Sequence, residues 1–109
     1  MISRSVTVVN SLGLHARAAA KFVHVATRFE SHVRVGRGAP TEGSSRDSGM
    51  MDGKSIMGIL LLAAARGTTL TISADGPDEQ AAVEALVQLV ETGFGEPASS
   101  VGSGDSWNG

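Results

Sequence analysis

The residue types best suited to chemistry lie close together in the segment Gly13–Arg17, whose sequence is GLHAR. The apolar spacing that follows predicts a helix from Ala16, so the imidazole of His15 stands at the helix start, beside amide groups that have no partner within the helix. The partial positive charge there favours the neutral ring, which leaves a ring nitrogen as a nucleophile, and it favours any anion that becomes attached. The guanidinium of Arg17 can donate charge-assisted hydrogen bonds to phosphoryl oxygens. The pair therefore predicts a transient phosphohistidine.

Two other roles for His15 stay open at this point. It could be an exposed residue that only caps the helix, because spacing alone does not distinguish a cap from a nucleophile. It could also be the general base of a hydrolase, although no carboxylate lies nearby in the sequence to orient the ring. His24 and His32 have no carboxylate or histidine at ligand spacing, so we expect neither a metal site nor a cofactor.

The elements that position His15 follow from hydrophobic periodicity. Alternation of apolar and polar residues predicts strands over Ser5–Val9 and Thr69–Ala74, and a shorter one over His32–Val35. The hairpin partner of the short strand is expected at Met50–Met51. Apolar spacings of three and four predict an amphipathic helix over Ala16–Phe29.

Two further helices complete the order of elements. Ser55 is placed to cap a short buried helix that starts at Ile56. The turn Asp75–Glu79 brings a proline and acidic residues to the start of the last helix, and Gly93 ends it. Strand, helix, strand, strand, helix, strand and helix in this order predict an α+β two-layer sandwich, with helices on one face of an antiparallel or mixed sheet.

Length and composition limit the class of protein. The chain has 109 residues, 41% of them hydrophobic, and no cysteine, which suits one globular domain and excludes disulfide scaffolds and cysteine nucleophiles. All nine Lys and Arg lie in residues 1–66, which have a net charge of +5, whereas residues 67–109 have −7. The basic residues form no run, so we expect acidic protein partners or phosphate rather than nucleic acid. The longest apolar tract is too short to cross a membrane, and a cytoplasmic protein without membrane insertion is expected.

Two segments have few residues that could enter a core. Residues 36–49 are rich in Gly, Ser and Pro and are predicted to be a long flexible loop. Residues 95–109 are small and polar apart from Val101 and Trp107, which predicts a disordered tail. The folded domain is therefore expected to span residues 1–94.

Two motifs resemble those of one known family. The stretch Gly13–Val23 (GLHARAAAKFV) looks like the active-site motif of the histidine-containing phosphocarrier family of the bacterial phosphotransferase system, and Gly53–Gly58 (GKSIMG) resembles that family's second signature. The resemblance covers about residues 2–94. It implies an open-faced sandwich of four antiparallel strands with three helices on one face. Ala18 stands where most relatives have proline, and the 36–49 segment is longer than usual for the family.

The resemblance also implies a function. Through Nδ1, His15 would accept a phosphoryl group from the phosphoenolpyruvate-charged first enzyme and pass it to second-stage acceptor proteins, with Arg17 stabilising the phosphate. The protein would then be a phosphorylated intermediate rather than an enzyme acting on a free substrate. Whether it serves sugar uptake or nitrogen-type regulation stays open.

Ser55 corresponds to the family's regulatory serine, which a serine kinase/phosphorylase modifies in those bacteria that possess one. The alternative function is therefore a regulatory binding module that is controlled through Ser55 and transfers little phosphate through His15. In either case we expect docking on an apolar patch, whose predicted residues are Ala16, Ala18, Ala19, Met57 and Leu60.

Overall fold

The computed structural model describes residues 1–38, 50–62 and 64–95. Within them, four antiparallel strands form one sheet in the order β1-β4-β2-β3. The strands are β1 (Ile2–Thr7), β2 (His32–Arg37), β3 (Met51–Asp52) and β4 (Thr69–Asp75). The helices are α1 (Ala16–Ala26), α2 (Ile56–Leu61) and α3 (Glu79–Glu91), and a 3₁₀ turn follows over Gly93–Gly95. This is the predicted α+β open-faced sandwich.

The alternation of side chains separates a core face of the sheet from a polar face. Val6 pairs with Leu70 and Val35 pairs with Ile72, and all four are buried against the helices. On the other face the hydroxyls of Ser3 and Ser73 form a hydrogen bond of 2.8 Å. The predicted period of two thus places one apolar set in the core.

The helices bury one stripe each against this core. In α1 the buried residues recur at spacings of one, three and four, and in α3 the stripe continues from Ala82 to Val90. Asp78 stands at the N-cap of α3, but its carboxylate accepts hydrogen bonds from the N–H groups of Glu30 and Ser31, both at 2.9 Å. The turn before α3 is thereby joined to the turn after α1.

Several predicted boundaries were wrong. The first helix ends at Ala26 rather than Phe29, because Thr27 takes the C-cap position and Arg28 and Phe29 donate to carbonyls only three residues back. Strand β1 spans Ile2–Thr7 rather than Ser5–Val9. Gly36 and Arg37, predicted as loop, continue β2 because they pair with Thr71 and Leu70. The rest of the predicted loop from 39, and the predicted tail from 96, lie outside the described residues.

Candidate functional site

Hydrogen bonds within the loop and to the segment after α2 fix the loop between β1 and α1. The side-chain amide of Asn10 donates to the carbonyl of Gly13 over 2.9 Å, and the N–H of Gly13 donates to the carbonyl of Asn10 over 3.2 Å. Leu14 is buried, and its N–H donates to the carbonyl of Ala64, just after α2, over 2.9 Å. Gly13 has a φ of +65°, a conformation that glycine adopts without the steric cost of a side chain. These contacts fix the direction in which the chain enters α1.

His15 is the N-cap residue of α1, as its position in the sequence predicts. Its backbone is extended, and its carbonyl accepts a hydrogen bond of 2.9 Å from the N–H of Ala19. The ring nitrogen Nδ1 accepts a hydrogen bond of 3.2 Å from the N–H of Arg17. An imidazole nitrogen that accepts a hydrogen bond carries a lone pair. Nδ1 therefore has the electron pair that a nucleophile needs.

The side chain of Arg17, the second residue of α1 and two residues after His15, is exposed. Residues 11–28 include Arg17, Lys21 and Arg28 and no carboxylate. A group attached to Nδ1 would lie beside the backbone amide of Arg17 in the first helical turn, on a segment with basic residues and no carboxylate. Such surroundings suit a doubly charged phosphoryl group.

Ser55 is the N-cap residue of α2, as predicted. Its Oγ accepts a hydrogen bond of 3.1 Å from the N–H of Gly58. The preceding Lys54 donates from Nζ to the carbonyl of Phe29 over 2.8 Å, which ties the start of α2 to the end of the α1–β2 turn. Ser55 itself is half-buried.

Exposed apolar side chains lie on α2 and in the loop before His15. Met57 is 68% exposed, as its predicted place in a docking patch requires, and Leu61 is 67% exposed. Leu12, which sequence reasoning missed, is 71% exposed, and Ile56 is 43% exposed. Since the backbone of Gly13 lies against Ala64, Leu12 and the end of α2 are at the same end of the molecule. We call Leu12, Ile56, Met57 and Leu61 the apolar face.

The predicted docking patch needs correction on α1. Ala18 and Ala19 have no exposed surface, because they belong to the buried stripe with Phe22 and Ala26. Neither can contact a partner. Ala16 is exposed and Leu60 is half-buried.

His24 and His32 are both exposed, and neither lies at the site. Across residues 1–38, 50–62 and 64–95, no three His, Cys, Asp or Glu side chains come together as a metal would require. No helix in this part of the chain is long and apolar enough to cross a membrane.

Comparison with known proteins identifies the family. A family model described as "PTS HPr component phosphorylation site" matches residues 2–92. The chain belongs to the HPr family of phosphocarrier proteins. The phosphocarrier protein HPr of Cupriavidus necator is 46% identical over 96 residues, which is 88% of this chain and 98% of the relative.

Two solved structures extend the likeness to three dimensions. HPr from Thermoanaerobacter tengcongensis matches with a TM-score of 0.75 and 39% identity, covering 89% of this chain and 99% of that one. Crh, a Bacillus subtilis catabolite repression protein, matches with a TM-score of 0.59 and 39% identity, covering 85% of this chain and 97% of that one. Both likenesses agree with the assignment of the chain to the HPr family.

Proposed function

We propose that His15 accepts a phosphoryl group from the phosphoenolpyruvate-charged first enzyme of the phosphotransferase system and passes it to second-stage acceptor proteins. The observation that carries the proposal is the lone pair on Nδ1 at the start of α1, which accepts a hydrogen bond of 3.2 Å from the N–H of Arg17. Family membership supplies the kind of donor and acceptor.

The transfer requires no proton to leave Nδ1. The lone pair of Nδ1 forms a bond to phosphorus while the bond between phosphorus and the donor atom breaks, and the donor keeps that electron pair. The proton on the other ring nitrogen stays in place. In the second step an acceptor nucleophile attacks the same phosphorus, and the electron pair of the N–P bond returns to Nδ1.

The first turn of α1 can hold the phosphoryl oxygens without trapping them. The first N–H that bonds back along the helix is that of Ala19, to the carbonyl of His15, so the amides of the exposed residues Ala16 and Arg17 have no partner in the repeating bonds of the helix. The field of a helix start contributes about 0.3 to 1 kcal/mol, and each charge-assisted bond from Arg17 adds about 1.5 to 3 kcal/mol. Stabilisation of this size leaves onward transfer feasible.

Docking is assigned to the apolar face and to the positive charge around Arg17. Partners that bury Met57 and Leu61 remove apolar surface from water, which favours association. Negative charge on the partner would complement residues 11–28, which have basic residues and no carboxylate. The same chemistry serves sugar uptake or nitrogen-type regulation.

Incubation with phosphoenolpyruvate and purified first enzyme tests the proposal. We expect a mass increase of one phosphoryl group that is lost on mild acid treatment, as a phosphohistidine requires. His15→Ala should abolish the labelling, whereas His24→Ala, which alters an exposed histidine later in the same helix, should retain it. Labelling that persists in His15→Ala would refute the assignment.

A second candidate function is regulation through Ser55. Two observations favour it: the hydroxyl lies at the start of α2 directly before Ile56 and Met57 of the apolar face, and the catabolite repression protein Crh shares the fold. A serine kinase/phosphorylase would act here. Its product would be an acid-stable phosphoserine, which distinguishes it from phosphohistidine in the same mass measurement.

A further inference from the structure

One peptide group in front of His15, the one that joins Gly13 to Leu14, is hydrogen-bonded at both of its polar ends. Its N–H, on Leu14, donates to the carbonyl of Ala64 over 2.9 Å. Its carbonyl oxygen, on Gly13, accepts two hydrogen bonds of 2.9 Å, one from the N–H of His15 and one from Nδ2 of Asn10. The orientation of this peptide group therefore sets the position of the His15 backbone.

The bond from Asn10 holds the carbonyl end of this peptide group. Gly13 has a φ of +65°, and glycine adopts positive and negative φ about equally readily, so the peptide itself offers little resistance to rotation. The bond from the N–H of His15 offers little more, because its donor belongs to the residue that would move with the peptide. Nδ2 of Asn10 reaches the same oxygen from outside the moving segment.

Asn10 is itself anchored and has no exposed surface. Two residues earlier, the N–H of Val8 donates to the carbonyl of Thr68 over 2.9 Å, and its carbonyl accepts from the N–H of Gly67 over 2.8 Å. A carbon added to Gly93 would lie 3.5 Å from Cβ of Asn10, so the backbone after α3 packs against this side chain. Burial of an amide is unfavourable unless it is hydrogen-bonded, which favours the bond to the Gly13 carbonyl.

We propose that Asn10 is a positioning residue for phosphoryl transfer, because its side-chain amide locks the peptide group between Gly13 and Leu14 and thereby sets the place of the His15 ring. The proposal rests on the function proposed above. Asn10 takes no part in bond making or breaking. It keeps His15 where Nδ1 accepts the hydrogen bond of 3.2 Å from the N–H of Arg17.

Steady-state kinetics with the first enzyme test this role. A reacting atom displaced by about 1 Å lowers a transfer rate by up to about 100-fold, so we expect Asn10→Ala to lower kcat on the order of ten-fold. The KM for this protein should not change, because Arg17 and the apolar face remain in place. A fall in kcat at constant KM is the result expected of misplacement rather than of lost docking.

Thr71→Val is the matched control. Oγ1 of Thr71 donates to the carbonyl of Gly38, so this variant also removes a side-chain donor to a glycine carbonyl. Thr71 is buried as Asn10 is, but its neighbours Leu70 and Ile72 face the core, which places Thr71 on the sheet face opposite the helices. We expect Thr71→Val to lose stability and to keep the kcat of the unsubstituted protein.

The His15 ring gives a second readout, which a loss of stability alone would not change. While Nδ1 accepts a hydrogen bond, the neutral ring has its proton on Nε2, so the two ring nitrogens have well separated NMR resonances. We expect Asn10→Ala to bring these resonances closer together, because a displaced ring loses the bond from Arg17 and mixes its two tautomers. Thr71→Val should leave both resonances unchanged.

Hydrogen exchange tests the bond without any substitution, and it therefore applies even if Asn10→Ala does not fold. The side-chain amide protons of Asn10 should exchange about ten-fold or more slowly than those of Gln88, whose side chain is exposed on α3. Exchange as fast as that of Gln88 would show that the bond to Gly13 does not persist, and it would overturn the proposal.

The variants allow two further results to overturn the proposal. Unchanged kcat and unchanged ring resonances in Asn10→Ala would show that Asn10 does not position His15. An equal fall of kcat in Thr71→Val would assign the effect to a general loss of stability. If the unsubstituted protein is not phosphorylated by the first enzyme, the proposed function fails, while the ring resonances and the hydrogen exchange still decide whether Asn10 positions His15.

Discussion

The N–H of Leu14 donates a hydrogen bond of 2.9 Å to the carbonyl of Ala64, which joins the loop before His15 to the residues after α2. The loop that carries His15 and the segment after α2 are therefore joined directly through the backbone. Under the proposed function, this bond and the turn at Gly13 set the position at which a partner docked on α2 would meet Nδ1 of His15.

The first prediction concerns that turn. A Cβ at Gly13 would lie 2.4 Å from the carbonyl oxygen of Ala64, and φ there is +65°. Gly13→Ala should therefore lower the free energy of unfolding by about 2 kcal/mol or more and slow phosphorylation of His15. Gly67→Ala is the control, because Gly67 also has a positive φ but nothing lies within 4 Å of its added carbon.

Chemical denaturation and a phosphorylation time course measure the two effects. The control should lose only about 1 kcal/mol, the cost of the left-handed conformation, and should keep its phosphorylation rate. Equal losses in the two variants would mean that the contact with Ala64 does not position the loop.

The second prediction concerns Arg17. Arg17→Ala should slow transfer to and from His15 by roughly ten- to hundred-fold, because it removes charge-assisted bonds to the phosphoryl group. Thermal stability should not change, since the side chain is exposed and the bond to Nδ1 comes from the backbone. Rapid-quench kinetics measure the transfer. Arg28→Ala, which removes another exposed arginine, controls for loss of charge. Transfer at the rate of the unsubstituted protein would remove Arg17 from the site.

Local signals in the sequence predict the N-cap residues of α1 and α2, but they do not predict all of the exposed residues near His15. Ser55 follows from the preference of serine for the position before an apolar helical run, whereas the apolar spacing that begins at Ala16 places His15 at the start of α1. The docking prediction for Ala18 and Ala19 was wrong, although the spacing of Ala19, Phe22 and Ala26 in the sequence already indicates a buried stripe. A helical position with no exposed surface, such as Ala18 or Ala19, cannot also form part of a docking surface.

Long-range pairing explains what the sequence could not show. Gly36 and Arg37 resemble loop residues, yet they complete β2 because the neighbouring β4 supplies Thr71 and Leu70 as partners. Leu12 stands alone between polar and glycine residues, so no periodicity marks it. In the structure Leu12 is exposed and precedes Gly13, whose backbone packs against Ala64, and this tertiary contact has no signal in the local sequence.

The third prediction concerns acid stability. Hydrogen bonds from the Ser31 hydroxyl and from the N–H groups of Glu30 and Ser31 hold the pKa of Asp78 below its ordinary value of 3.8. The pKa of Asp78 is lower in the folded protein than in the unfolded chain. The stabilisation of the fold by the Asp78 carboxylate is therefore fully present above the ordinary pKa, and it is lost as pH falls through the folded-state pKa. Asp78→Asn should therefore be less stable near neutral pH, and the difference should shrink at lower pH.

Denaturation at a series of pH values measures this effect. Glu91→Gln, which neutralises an exposed carboxylate at the other end of α3, serves as the control and should not reproduce the pH-dependent difference. A difference between Asp78→Asn and the unsubstituted protein that stays constant down to pH values below 3.8 would show that the charge on Asp78 contributes nothing to the link between the two turns.

The fourth prediction separates the structural role of Ser55 from its regulatory one. Ser55→Ala removes the acceptor for the N–H of Gly58 and should cost about 1 kcal/mol of stability. Ser55→Asp and Ser55→Asn both keep a cap, so each should change the free energy of unfolding by less than about 1 kcal/mol. Only aspartate adds a charge beside Ile56 and Met57, and a partner would have to desolvate that charge on docking. Titration with the first enzyme should therefore give weaker binding for Ser55→Asp alone. If Ser55→Asn weakens binding equally, the cap geometry matters and the charge does not, and Ser55 would then lack the property that a phosphorylation switch requires.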